Sequence, residues 1–534
     1  MSIRPHCRPM DELAQARIQL VRLEQQERNL LGRLKDIRSA VQLQQATIDA
    51  LVKSINCAPI SRLPTELLLE ILDLAINAAP VGCDLHLHTR KWELTCVSRR
   101  WRDVILNSPV LWTSIKLTPT WDVSVVKAHV TRSRGRPLDI EVGQSWPSRG
   151  RDALPAQLDV VVPSAHRWRS LVIHNSAGYT LSTHVLARID NLKLSSLKHV
   201  SIPLYPPTLR EQDEGKLCYP SFLRPGYISN LKSLELRNFV APNDFQIPHG
   251  LTALLLKLPD VRPSGSSTFL SSLSSQTLKD LSLSGDIDHW SLQPDTIHLP
   301  FLEKLELRVS KAKGLLEALV APRLINFEYH PYRMQDPPSV VFRGLSSKFR
   351  SVEYLSFHLW EILEDLYEDA NAFCKAFPGV RHAQLHPADI PSIFLVGDVS
   401  CAADHWAHLE SLTFKGLTRD LLRTPNEFFM WLEQRKARGK PMLHIKLSQI
   451  QGDDWGLDVS WLSTLYEALH NFSILEFEDV PLMPTVMLSG NVDSTLQLNM
   501  PALSPGLFSG IDQAFRAGHV SQNRAKDCKA CRKR

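Results

Sequence analysis

Cys528 and Cys531 stand as Cys-x-x-Cys, and Cys83, His86 and His88 lie close together, so these are the side chains whose types and spacing could hold a metal. Neither set is complete. A structural zinc needs four donors; the tail pair has no second pair in reach, and alternating His in a loop reads as polar surface. Phosphate binding would need Gly-x-x-x-x-Gly-Lys-Ser/Thr, and the loop Pro263-Ser264-Gly265-Ser266-Ser267 lacks the lysine. No Gly-x-Ser-x-Gly elbow, His-Glu-x-x-His pair or dinucleotide fingerprint occurs. Asp286 and Asp288 are isolated acids among 56 Asp and Glu. The sequence thus assigns no catalytic residue, no cofactor and no metal, and the chemistry to look for is binding.

The strongest binding signal lies between residues 63 and 112. Leu63-Pro64-Thr65-Glu66-Leu67-Leu68-Leu69-Glu70-Ile71-Leu72 predicts a helix opened by Pro64, whose missing N–H would be unsatisfied there anyway, with Leu67, Leu68, Ile71, Leu72 and Ala75 on one face. Cys96-Val97-Ser98-Arg99-Arg100-Trp101-Arg102 comes next, with Val97, Trp101 and Val104 at i, i+4 and i+7 of a second helix. Ser108-Pro109-Val110-Leu111-Trp112 closes the stretch. The insert from Ala79 to His88 reads as a loop.

In order, spacing and residue types these three segments resemble an F-box, the short helical domain that binds the Skp-type adaptor of cullin-RING ubiquitin ligases. The resemblance implies that Leu63, Pro64, Leu67 and Ile71 face the adaptor, while Leu72, Val97, Trp101, Leu111 and Trp112 form the module's own core. Glu66 suits the first helical turn, where a negative charge complements the helix dipole. Arg99, Arg100 and Arg102 are expected on a solvated face or as steering charges at an interface rim. The segment Arg132-Ser133-Arg134-Gly135-Arg136-Pro137 feeding the alternating Leu138, Ile140 and Val142 also resembles the stretch after the F-box in many proteins of mushroom-forming fungi.

Three further elements must position this module. Residues 13–55 keep a heptad with Leu13, Leu20, Glu27, Leu34, Val41, Ile48 and Ile55 at a and Ala16, Leu23, Leu30, Ile37, Gln44 and Leu51 at d; only Glu27 and Gln44 interrupt the apolar seam. At 1.5 Å per residue this is a helix of roughly 65 Å that needs a partner for its stripe. Self-association as a parallel coiled coil and a helix that folds back on the same chain, with Gly32 as a weak point, are the two expectations.

Downstream, a pattern apolar-x-x-apolar-x-apolar recurs twelve times, from Trp168/Leu171/Ile173 through Leu234/Leu236, Leu305/Leu307 and Leu355/Phe357 to Phe472/Leu475/Phe477. The mean step of about 28 residues lies within the leucine-rich-repeat period. Each sextet predicts a short strand whose last two apolar residues point inward, with helical returns over 362–377, 427–437 and 460–472. The Asn or Cys that the repeat family carries three residues after the last Leu is absent; Asp286 and Ser310 stand at two of those positions. Loss of that side chain predicts an irregular solenoid.

The expected organisation is a flexible N-terminus (1–12), a heptad helix (13–57), an F-box (58–117), a connecting segment (118–165), an irregular leucine-rich-repeat solenoid of α/β class (166–480) and a loosely ordered basic tail (481–534). Lys and Arg number 61 against 56 Asp and Glu, a formal charge of +5 that singles out no polyanion, so nucleic acid is not an expected partner. Scattered cysteines and the lack of an apolar run long enough for a span suggest a cytoplasmic or nuclear protein. By resemblance the chain is a non-catalytic substrate receptor of an Skp-cullin-F-box ligase, reaching cullin through the adaptor and holding a target protein. The alternatives are an adaptor-bound scaffold without cullin, or a recognition solenoid for RNA or small ligands.

Overall fold

A computed structural model describes residues 8–55, 59–77, 87–143, 153–174, 178–204, 220–224, 227–240, 247–259, 270, 273, 277–332, 337–346, 348–357, 366–386, 390–394, 401–416, 426–448 and 460–478. The chain divides into two compact units, Met1–Glu410 and Ser411–Arg534. The fold is mixed α/β, with a long N-terminal helix and a large parallel sheet that does not close into a barrel.

Helix α1 spans Arg8–Ile55, starting inside the stretch expected to be flexible, and every side chain from 12 to 52 is exposed. It runs unbroken through Gly32, where an added Cβ would meet nothing within 4 Å. Among the described residues nothing of the same chain folds back over the seam. Three short helices come after it: α2 (Thr65–Asn77), α3 (Leu87–Val97) and α4 (Arg99–Asn107), then a 3₁₀ turn over Pro109–Trp112. Residues 78–86, which hold most of the expected insert including Cys83 and His86, lie outside the described residues, as do the loop 263–267 and the tail with Cys528 and Cys531.

The expected second helix is in fact two. Ser98 has an extended backbone (φ −156°, ψ 163°) and its hydroxyl accepts the N–H of Trp101 at 3.1 Å, so it ends α3 and caps α4. Val97 thus belongs to the last turn of α3 and not to the helix that carries Trp101.

The sheet begins earlier than the sextets alone indicate. Strand β1 (Ser114–Leu117) lies in the stretch read as the end of the helical module, and β2 (Leu138–Val142) lies in the expected connecting segment, separated by α5 (Val123–Arg132). After α6 (Ala153–Val161) come β3 (Trp168–Ile173), α7 (Tyr179–Ile189), β4 (His199–Pro203), β5 (Ser233–Arg237), β6 (Ala253–Lys257) and β7 (Asp280–Gly285). The first unit continues with β8 (Ile297–His298), β9 (Lys304–Val309), α8 (Ala312–Ala318), β10 (Leu319–Val320), β11 (Asn326–Tyr329), β12 (Tyr354–Phe357), α9 (Leu366–Ala376) and β13 (His382–Leu385). Short β8 and β10 pair with each other outside the main sheet.

The main strands of this unit pair in chain order, all parallel, so each connection returns over the same side. The sextets set the register. Leu171 pairs with Val200, Val200 with Leu234, Leu234 with Leu254, Leu254 with Leu281, Leu281 with Leu305, Leu305 with Phe327 and Phe327 with Leu355. A second device repeats with them: the carbonyls of Lys198, Lys232, Thr252, Lys279, Glu303, Ile325 and Glu353 each accept two successive N–H groups at the start of the next strand. That shared acceptor marks where each new strand joins the sheet, and a one-residue slip would turn the buried leucines outward.

The second unit repeats the arrangement with β14 (Ser411–Lys415), β15 (Leu443–Ser448) and β16 (Ser473–Glu478), and with helices Asn426–Ala437 and Ser460–Leu469 between them. Leu412 pairs with Ile445 and Ile445 with Leu475. Met442, the first apolar residue of its sextet, is half-exposed. No helix among the described residues is long and apolar enough to cross a membrane.

Candidate docking surface

Helix α2 carries two apolar stripes, and they face different ways. Leu68, Leu72 and Ile76 are buried with Val104, Ile105, Leu111 and Trp112, and Ile60, Leu69, Leu94, Trp101 and Leu106 pack around that cluster. Leu67, Ile71 and Leu74 stand at i, i+4 and i+7 and are 47%, 39% and 70% exposed. The single face expected from periodicity is therefore split, with Leu67 and Ile71 on the outer stripe and Leu68 and Leu72 on the inner one. Leu74 belongs with the outer stripe, and its spacing from Leu67 is the sequence signal for it.

The Leu63-Pro64 edge lies at the start of the same helix. Pro64 is exposed and its carbonyl accepts the N–H of Leu68 at 3.1 Å, the first bond of α2. Leu63 is half-buried; its carbonyl accepts from the Arg100 guanidinium, so Arg100 ties α4 to the edge rather than standing on a solvated face. Arg102 remains exposed while its Nε donates to Thr95 at 3.2 Å, and Arg99 is exposed. Glu66 is an exposed charge in the first turn.

Of the expected core residues, Leu72, Leu111 and Trp112 are buried and Trp101 is half-buried against the cluster. Val97 is a correction: it is 60% exposed, because the break at Ser98 removes it from the periodicity of Trp101 and Val104. Trp92 and Val110 are exposed apolar residues of the same module, and the Trp92 ring stands edge-on to Trp112 at 6.4 Å.

Trp112 joins the module to the sheet. Its Nε1 donates to the Ile105 carbonyl at 2.7 Å, and Lys91 Nζ and the Arg132 guanidinium lie 4.7 and 4.5 Å from the ring centroid. His129 of α5 packs edge-on at 4.8 Å, and its Nδ1 donates to the Ser114 carbonyl at 3.0 Å, since a carbonyl can only accept. Lys91 also donates to Leu111 O at 2.6 Å. Burial pulls the Lys91 ammonium down to about 8, opposed by the charge of Asp73 and assisted by that of Arg132. Sequence reasoning passes over Lys91, Arg132 and His129, since nothing in their spacing marks them as neighbours of one indole.

The outward side chains of the sheet form a second surface. Glu141, Val172, Ser201, Glu235, Leu255, Ser282, Glu306, Glu328, Ser356 and Gln384 occupy one cross-strand row, within which Ser201 is buried. Its carboxylates are matched. Glu141 contacts His174 at 2.8 Å and Lys116 at 3.2 Å, and Glu235 contacts Arg237 at 2.7 Å. Glu306 and Glu328 stand side by side, and Arg308 bridges them at 2.9 and 3.2 Å. Burial alone would raise Glu141 and Glu235, but hydrogen bonds from His174 and Lys116, and from Arg237 and Ser201, hold them below the ordinary range. Glu328 is lowered chiefly by the hydrogen bond from His330. Each of the four carboxylates of the row thus has a basic partner.

Among the described residues no group of His, Cys, Asp and Glu could hold a metal. Asp286 and Asp288 serve structure: Asp286 Oδ1 accepts the Asp288 N–H at 2.9 Å and the Ser310 hydroxyl at 2.7 Å. No protein-family model matches the chain, and no curated protein matches it.

Proposed function

We propose that this protein is the substrate-recognition subunit of an Skp-cullin-F-box ubiquitin ligase. The helical module over residues 59–112 acts as the F-box and docks the Skp-type adaptor through Leu63, Pro64 and the outer stripe of α2. The parallel sheet acts as an irregular leucine-rich-repeat solenoid whose cross-strand row of mixed polar and apolar side chains holds a target protein. Ubiquitin chemistry then occurs on other subunits, and this chain contributes proximity by raising the effective concentration of a target lysine.

The observation that carries the reading is the second apolar stripe of α2. Leu67, Ile71 and Leu74 lie outside the module's buried cluster, while Leu68, Leu72 and Ile76 behind them are within it. A small exposed apolar patch on a helix whose other face is buried has the anatomy of an interface in which a few residues dominate the energy.

The test is purification of the full chain with its partners. The parent brings down adaptor and cullin. The double variant Leu67→Glu with Ile71→Glu is expected to weaken adaptor binding at least about 100-fold, roughly 3 kcal/mol, with unfolding shifted by no more than about 0.5 kcal/mol. Leu63→Ala with Pro64→Ala is expected to remove most binding as well. Adaptor binding unchanged in both variants overturns the proposal. Recovery of adaptor without cullin reassigns the chain as a scaffold.

A further inference from the structure

Helix α1 keeps nine apolar seam residues, Leu13, Leu20, Leu23, Leu30, Leu34, Ile37, Val41, Ile48 and Leu51, between 43% and 63% exposed. A strict seven-residue repeat drifts by about 20° per heptad on a straight helix, and it closes into one continuous seam only when two helices supercoil. The occupant that fits this seam is a second copy of the seam itself, and the polar interruptions select its direction.

We propose that α1 pairs with α1 of a second copy of this chain in antiparallel orientation, in the register that sets Glu27 against Gln44 of the partner subunit. Antiparallel coiled coils pack a positions on d positions. Glu27 is an a position and Gln44 a d position, and the register that aligns them also aligns Leu20 with Leu51, Leu23 with Ile48, Leu30 with Val41 and Leu34 with Ile37. Every other layer in this span is then apolar on both sides. The two polar layers, Glu27 on Gln44 and its two-fold mate, are self-satisfying, since the Gln amide donates to the Glu carboxylate. Matched polar layers inside an apolar seam are a device that fixes register.

The parallel alternative, expected from the heptad alone, puts Glu27 against its own copy inside the seam. It also sets Arg33 at g opposite Arg38 at e on both flanks, leaving Glu12 with Arg17 as the one attractive flank pair among the described residues. In the antiparallel register the flanks pair Glu24 with Gln45, Arg17 with Val52, Arg33 with Ala40 and Gln26 with Thr47, and no like charges meet. Gly32 falls at f, on the outer surface, where its missing side chain costs no packing. The two helical modules that come after α1 are then carried at opposite ends of the coil, about 60 Å apart at 1.5 Å per residue. This pairing does not depend on the docking reading, because it uses no residue of α2 to α4.

The experiment uses full chains carrying Leu20→Cys or Leu51→Cys, oxidised separately and after mixing, with the parent chain as the control for native cysteines. Sedimentation of the parent is expected to give twice the chain mass. The mixture is expected to yield a cross-linked dimer joined between positions 20 and 51, at several-fold the level of either variant alone. Leu23→Asp with Leu34→Asp is expected to give the monomer mass. Cross-linking of Leu20→Cys to itself would show the parallel coil and overturn the proposal. So would a parent monomer, or a dimer that cross-links in neither arrangement.

Discussion

The long helix and the sheet write the same kind of message in sequence, apolar residues at a fixed interval, and meet opposite fates. In the sheet the second and third positions of each sextet from Leu171 to Leu385 are almost wholly buried, because the neighbouring repeat supplies the other half of the contact. In α1 the heptad positions stay open to solvent along the described seam. Periodicity therefore states that a face needs covering without stating by what. In a repeat array the cover is the next turn of the same chain; on α1 no described residue of the chain supplies it. The two stripes of α2 show both outcomes on one element, with Leu68, Leu72 and Ile76 covered from within and Leu67, Ile71 and Leu74 open.

The sharpest way to break this contrast is at Trp112, where the covered region is most densely tied. Trp112→Ala removes a buried indole, its bond to Ile105 and the ring between Lys91 and Arg132. The expected cost is about 3–5 kcal/mol. Hydrogen exchange should show loss of protection in α2, α4 and β1, while sedimentation still shows the mass of the parent, because the α1 seam lies outside this core. Protection that survives the change would mean that Trp112 does not join the module to the sheet.

A second test uses pH. Lys91 binds its proton less tightly in the folded protein, at about 8 against an ordinary 10.5. Between those values the unfolded chain holds more protons than the folded one, so the module should gain stability as pH rises from about 8 to 10.5, by at most about 3 kcal/mol. Below pH 8 both states are protonated and the penalty is constant. Lys91→Met should abolish the rise while leaving the Leu111 carbonyl without its donor. The exposed α1 side chains have no such buried charge, so dimer mass should be flat across the same window. A module whose stability does not change between pH 8 and 10.5 would show that the ammonium is solvated.

Much of this arrangement is legible in the residues alone, and the exceptions have physical causes. The sextets locate the strands from Trp168 onward in the register they adopt, because burial and pairing both depend on the same alternation. Strand β1 escapes that reading although Trp112, Ile115 and Leu117 fit the same sextet: Trp112 also closes the helical module, and one residue serves both. Strand β2 has the exposed Pro137 at the first position of the sextet that Ile140 and Val142 complete, so only its alternation shows. Val97 is misplaced because periodicity runs blindly across Ser98, whose capping role is a matter of backbone conformation. Arg100, Lys91 and His129 are illegible as contacts, since their partners lie between 15 and 37 residues away in sequence.

The smallest expected effect tests how the covered region replaces a missing part. The repeat family's Asn is absent, yet Asp286 and Ser310 occupy that position in successive sextets and bond to each other. The Ser310 hydroxyl also accepts the N–H of Ile287 at 3.0 Å, so two side chains do for adjacent turns what one amide would do for each. Asp286→Ala strands the Asp288 N–H and the Ser310 hydroxyl and should cost about 1–2 kcal/mol. Asp286→Asn keeps an acceptor oxygen and should recover most of it. The two also differ in acid. Burial would raise the Asp286 carboxyl, but hydrogen bonds from Asp288 and Ser310 hold it below the ordinary range, so its contribution is lost as pH falls through the folded value. The Asn variant carries no such titration and should flatten that part of the acid limb in urea unfolding. Equal stability of Asp286→Ala and the parent at neutral pH would mean that the backbone ladder alone sets these turns.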